Sequence, residues 1–149
     1  MKCIYCQNDT EVYNSRPNTK TPAVWRRRRC LFCVAQYTTI ELPDYGGSFM
    51  VKGLSGTFYP FSRDKLYLSL HRALGHRNDA TDAATALTST IIGRVIRNNK
   101  TSGGQIAVSM LANTSYMTLK RFDVLAAHSY KAYHLSALKR AKNYSKVLQ

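Results

Sequence analysis

The chain has 149 residues, enough for one ordinary domain or two small ones. Lysine and arginine outnumber aspartate and glutamate by 22 to 8, a formal charge of +14, which suits a polyanionic partner: nucleic acid, an acidic membrane or nucleotide phosphates. Acidic residues are scattered singly and no nucleophile–base set is apparent, which argues against an enzyme. No stretch approaches the roughly 18 apolar residues of a membrane span, and MKCIYCQNDT lacks an apolar signal-peptide core. A cytoplasmic protein is expected.

All four cysteines precede residue 34. Cys3 and Cys6 form one Cys-x2-Cys pair, and Cys30 and Cys33 form another. Each pair bends the backbone so that two sulfurs can meet one ion, and two such knuckles make the closed four-sulfur site of structural zinc. A redox pair or an iron–sulfur cluster is the alternative; short strands around the pairs favour a ribbon. Zinc ribbons often carry glycine after each knuckle, whereas Gln7 and Val34 stand there in this chain.

Strand-like stretches fall at Glu11–Ser15, Ala23–Arg28 and Gln36–Glu41, separated by turn residues such as Arg16-Pro17-Asn18. Within them, Trp25-Arg26-Arg27-Arg28-Arg29 leads into the second knuckle. On a strand, Arg26 and Arg28 share one face and Arg27 and Arg29 the other. Such a ladder suits phosphates and guanine edges, with Arg16 and Lys20 adding to it; the alternative is a solubilising edge strand. Trp25 is expected to pack over the small ribbon core, with stacking on a base as the lesser role.

Residues 42–48, LPDYGGS, have linker composition. Phe49–Lys52 and Thr57–Tyr59 are expected to form a short hairpin. Ser62 then caps a helix carrying Leu66, Tyr67, Leu70, Ala73 and Leu74 at helical spacing, with Gly75 past its end. A second helix is expected from Asp82 to Arg97, with a strand over Ser89–Ile96 as its competitor. A third covers Gln105–Asn113. A fourth covers Leu119–Leu135, with Phe122, Leu125, Ala126, Ser129 and Tyr133 on one face. Residues 138–149 make a basic tail. Lys52 and Lys65, beside a turn and a helix start, are weak triphosphate candidates on spacing alone, because no Gly-x4-Gly-Lys-Ser/Thr pattern is present. His71, His76, His128 and His134 form no ligand pattern.

Three segments carry a family resemblance: MKCIYCQNDTEVYNSRP, RRRRCLFCVAQYTT and VKGLSGTFYPFSRDKLYLSLHRAL. Together the chain resembles the bacterial ribonucleotide-reductase transcriptional repressors, NrdR. The likeness is most specific over 1–41, loose over 78–116, and returns in KRFDVLAAHSYKAY. It implies an α+β protein, with a zinc-ribbon DNA-binding domain at 1–41 and a mostly helical ATP-cone at 49–137. It further implies one zinc ion per chain on Cys3, Cys6, Cys30 and Cys33, and double-stranded DNA held by Arg16, Arg26, Arg27 and Arg28. ATP or dATP would be bound by Val51, Lys52, Lys65 and Tyr130 without hydrolysis. Nucleotide would switch a homo-oligomer on operator boxes upstream of reductase genes. A constitutive zinc-ribbon nucleic-acid binder whose second domain only oligomerises is the rival reading. Two departures stand out: the cone turn Lys52-Gly53-Leu54-Ser55-Gly56 is one residue longer than the family's and lacks its Arg and Asp, and Gln36 replaces a usual basic residue.

Overall fold

A computed structural model describes residues 1–19, 21–98 and 103–135. The chain divides into two compact units, Met1–Asp44 and Tyr45–Gln149. Lys20 and the tail at 138–149, singled out above for their charge, lie outside the described residues.

The first unit is a three-stranded antiparallel sheet, β1 (Thr10–Pro17), β2 (Val24–Cys30) and β3 (Gln36–Glu41), in sequence order. Residues in register place Arg16 beside Trp25, Asn14 beside Arg27, and Arg27 beside Thr38. A bulge between Val12 and Asn14 inserts one residue into β1 and sharpens the local twist. Among its described residues the unit buries only Cys3, Ala23 and Cys30. An apolar core of three small residues cannot hold a sheet, and units this short need a metal or disulfide.

Each knuckle ends in a left-handed residue, Gln7 at φ 62° and Val34 at φ 60°. Glycine reaches this region freely, whereas a side chain there costs roughly 1–2 kcal/mol and β-branching makes it worse. The turns close nevertheless: the Gln7 amide donates to the Cys3 carbonyl at 3.0 Å and the Cys30 amide to the Ala35 carbonyl at 3.0 Å.

The second unit begins earlier than its composition implies. Tyr45–Ser48 is a helical turn, α1, where a linker is expected, because Tyr45 finds apolar surface: its ring meets Phe61 edge-on at 6.4 Å. The expected hairpin is present as β4 (Met50–Lys52) and β5 (Phe58–Pro60), but a third strand, β6 (Gln105–Ala107), pairs parallel with β4. The third helix, expected over Gln105–Asn113, starts after this strand and runs Val108–Phe122 as α4. The turn into β6 requires glycine. Gly104 sits at φ +82°, and a Cβ there would lie 2.8 Å from the Ser48 carbonyl oxygen.

Helices α2 (Arg63–Ala73), α3 (Ala80–Asn98), α4 and α5 (Val124–Tyr130) enclose the core, followed by one π-helical turn, Lys131–Leu135. Ser62 caps α2, its hydroxyl accepting from the Lys65 amide at 3.2 Å, and Leu66, Leu70, Ala73 and Leu74 are buried. The β-branched stretch Ser89–Ile96 is helical within α3. Thr85, Thr88, Ser89 and Thr90 each donate to a carbonyl four residues back, so the hydroxyls are satisfied along the helix itself. Ala84, Leu87, Ile91 and Val95 then form its buried stripe.

The expected helix over Leu119–Leu135 is broken at Asp123, which is extended at φ −155°. Its carboxylate caps α5, accepting from the Ala126 amide at 2.9 Å, and also accepts from His76 at 3.0 Å and Arg77 at 3.1 Å. The break rotates the helical phase. Ala126, Ala127 and Tyr130 are buried, while Phe122, Leu125 and Tyr133, expected to share one face with Ala126, are exposed.

Two outcomes follow from this geometry. The Ala126 amide, then His76 and Arg77, hold the Asp123 carboxyl down at about 2 against the burial that pushes it up. A depressed carboxylate stabilises the fold fully above the ordinary range near 4 and loses that contribution as pH falls through about 2. Replacing Asp123→Ala should cost about 1–2 kcal/mol in urea unfolding at pH 7, and the difference from the parent should shrink as pH falls from 4 to 2. Val34→Gly should relieve the left-handed strain, so that the ribbon retains metal against a competing chelator several-fold more strongly.

Candidate metal centre and nucleic-acid interface

The two knuckles bring all four cysteine sulfurs within 4.8 Å of one another. Cys3 Sγ lies 3.7 Å from Cys33 Sγ, and Cys6 Sγ lies 3.5 Å from Cys30 Sγ. These spacings are too long for disulfides, whose sulfurs sit about 2.05 Å apart, and all four thiols are free. They match the edge of a tetrahedron around an ion with metal–sulfur bonds of about 2.3 Å, which is about 3.8 Å. The residues therefore fit one closed four-sulfur metal ion.

Neighbouring groups already favour charge on some of these sulfurs. The Asn8 side-chain amide donates to Cys6 Sγ at 3.5 Å and, with its backbone, holds the Cys6 thiol down at about 6. The Tyr5 amide points at Cys3 Sγ at 3.5 Å. At Cys33 the Ala35 amide pulls the same way, but Cys6, burial and the other thiols push it up to about 12. Four sulfurs this close cannot all ionise without a cation between them.

Strand β2 carries the arginines to opposite faces, as two-residue alternation requires. On one face Arg26 and Arg28 are tied within the sheet. Arg26 donates to Glu41 at 2.7 Å and to Ser15 at 3.1 Å, and Arg28 donates to Thr39 at 3.2 Å. On the other face Arg29 pairs with Glu11 at 2.6 Å. Arg27 and Arg16 have no carboxylate partner among the described residues. Both are exposed on that second face, where they line a groove of about 300 Å³ with Trp25, Asn14 and Thr38.

The four candidate arginines thus do not form one patch: Arg16 and Arg27 come together, and Arg26 and Arg28 lie on the opposite face. Trp25 is 53% exposed and does not cover the ribbon core; alternation along β2 puts it on the face opposite the buried Cys30. Asn14 and Thr38 escaped sequence reasoning, because only the strand register aligns them with Arg27.

The second unit has a pocket of about 300 Å³ between its small sheet and helices α2, α4 and α5. Val51, Lys65 and Tyr130 all line it, with Phe61, Ser62 and His134. Lys52 is not among the lining residues. Alternation along β4 turns it away from Val51, and its Nζ lies 5.7 Å from the centre of the Phe58 ring. Lys65 and Ser62 mark the N-terminus of α2, where unpaired amides attract anions. Tyr130 stacks on His134 with ring centres 4.4 Å apart. Burial pushes the Tyr130 phenol up against hydrogen bonding with Ser115 and Ser69, and pushes the His134 imidazole down, with Arg72 adding to the effect. No described helix is long and apolar enough to cross a membrane.

Residues 1–41 match the family described as the transcriptional repressor NrdR-like N-terminal domain. Three relatives, each named transcriptional repressor NrdR, extend the similarity over most of the chain. That of Halorhodospira halophila is 35% identical over 85% of this chain and 79% of its own length. That of a Chelativorans species is 32% identical over 99% of this chain and 94% of its own, and that of Afipia carboxidovorans 31% over 99% and 91%. These relatives are repressors rather than enzymes, in keeping with the absence of a catalytic set noted in the sequence. With a four-cysteine ribbon followed by a helical unit on a small sheet, and relatives matched nearly end to end, the chain belongs to the NrdR family of transcriptional repressors.

Proposed function

We propose that the chain is a zinc-loaded, nucleotide-responsive repressor that binds double-stranded operator boxes upstream of ribonucleotide reductase genes. The observation that carries the DNA reading is the pair of uncompensated guanidiniums, Arg16 and Arg27, on the exposed face of a sheet braced by four cysteines. Fixed cations on a rigid face release counterions when they meet phosphates, and they add base readout where a guanine edge is in reach. Arg26 and Arg28 contribute to the field but are engaged within the sheet.

Cys3, Cys6, Cys30 and Cys33 would hold the zinc, which supplies folding free energy rather than catalysis, since a closed four-sulfur set leaves no open position. Val51, Lys65 and Tyr130 would receive ATP or dATP, with phosphates toward Lys65 and the start of α2 and the sugar and base toward the apolar wall. That nucleotide would act by favouring one homo-oligomeric assembly over another, which requires differential affinity for the two. Pairing two ribbons on spaced half-sites is needed because a single small module buries only about 600–1,000 Å² on DNA.

One observation favours the rival, constitutive reading: Lys52 lies outside the pocket, in a lengthened turn closed by the Gly53 amide on the Thr57 carbonyl at 2.8 Å. Anisotropy of a reductase-promoter duplex against a shuffled one, near physiological salt, separates the two readings. Tighter binding to the promoter that changes with ATP or dATP is expected; equal binding of both duplexes under every nucleotide condition would overturn the repressor reading. Arg16→Ala and Arg27→Ala should each weaken promoter binding by about tenfold and lower the salt slope by about one, with Arg26→Ala weaker in effect. Cys30→Ser should lose stoichiometric zinc and the ribbon's sheet while the helical circular-dichroism signal of the second unit persists.

A further inference from the structure

Trp25 is the only tryptophan in the chain, and the fold leaves its indole half exposed on the face opposite Arg26 and Arg28. It stands in register with Arg16 on β1 and two residues along β2 from Arg27. A phosphate clamp has no use for an aromatic surface of this size, and β2 is the central strand of its sheet rather than a solubilising edge. An exposed indole by itself is ordinary; what sets Trp25 apart is that its flat apolar face lines a groove with two arginines. The neighbours define the partner that this groove suits. Arg16 and Arg27 have no carboxylate partner among the described residues, and Asn14 and Thr38 offer an amide and a hydroxyl within the same groove of about 300 Å³. An aromatic face, two free guanidiniums and neutral hydrogen-bonding groups in so small a groove match one nucleotide: a planar base, with a phosphate on either side.

We propose that this groove is a nucleobase slot, in which Trp25 stacks on the face of one unstacked base while Arg16 and Arg27 hold the adjoining phosphates. The inference rests on the reading of the ribbon as a DNA-binding unit and goes beyond it. A base inside an intact duplex shows only its edges in the grooves, so face-on stacking requires a base outside the helical stack. The ribbon therefore prefers DNA in which a base is already accessible, and on paired DNA it favours sequences that unstack readily. Asn14 and Thr38 are in place to read the edge of the base that enters.

The single tryptophan makes the slot its own reporter. The full zinc-loaded chain would be titrated near physiological salt with three probes: a fully paired duplex, the same duplex with one unpaired base, and that duplex with the unpaired base replaced by an abasic nucleotide. The abasic probe keeps the bend and the phosphates and removes only the stacking face. The unpaired-base duplex should bind roughly tenfold tighter than the abasic one and quench Trp25 emission. By anisotropy of labelled probes, Trp25→Phe should keep the preference and Trp25→Ala should abolish it, with zinc content unchanged in both. Equal affinity and equal quenching for the unpaired-base and abasic duplexes would overturn the slot while leaving DNA binding intact, as would a preference that survives in Trp25→Ala. Failure of all three probes to bind would overturn the DNA reading and the slot together.

Discussion

Everything in the first unit depends on four sulfurs meeting at one point. A segment of 44 residues whose described part buries only two cysteines and an alanine has no hydrophobic core to set strand positions. The knuckles do this instead. Cys30 ends β2, so the point where the second knuckle meets the first fixes which way Arg27 and Trp25 face. The closure is strong enough to hold Gln7 and Val34 in left-handed backbone, a conformation that neither residue favours. That strain persists because the surrounding turn is over-determined by its hydrogen bonds and by the sulfur cluster.

The second unit follows a different physical logic. Its core is continuous, drawn from Phe61 on the sheet side and from the buried stripes of α2, α3, α4 and α5. The pocket lies where the sheet meets these helices, so its lining residues stand on elements that the core already holds in place. Asp123 has a leading role here. It ends one helix and starts the next, and its two side-chain partners, His76 and Arg77, come from the loop after α2. Its cap sets the start of α5, the helix that carries Tyr130 to the pocket wall.

The charge of the chain is less uniform in effect than in amount. Glu41 and Glu11 sit where they neutralise Arg26 and Arg29. Exposed pairs of this kind add little stability, but they remove charge from some positions and leave it at others. A run of four arginines thereby becomes a directional surface, with free cations concentrated around Arg16, Arg27 and Trp25.

Much of this was legible in the sequence, and the limits are equally physical. The cysteine spacing, the alternation of the arginine run, the Ser62 cap and the stripe of α2 are local patterns, set by knuckle geometry, the two-residue strand period and the helical repeat. Other features needed the folded chain. Strand β6 is three residues long and exists only because β4 lies beside it, and its approach depends on Gly104 clearing the Ser48 carbonyl. The break at Asp123 was hidden within a continuous helical periodicity, since a cap competes with that periodicity only when His76 and Arg77 arrive from elsewhere. The separation of Lys52 from Val51, Lys65 and Tyr130 follows from strand alternation at a sheet whose orientation only the core decides. Trp25 shows the division most plainly. Composition marks it as a core residue; the tertiary structure, setting it on the face opposite the buried Cys30, leaves it on the surface between two unpaired arginines.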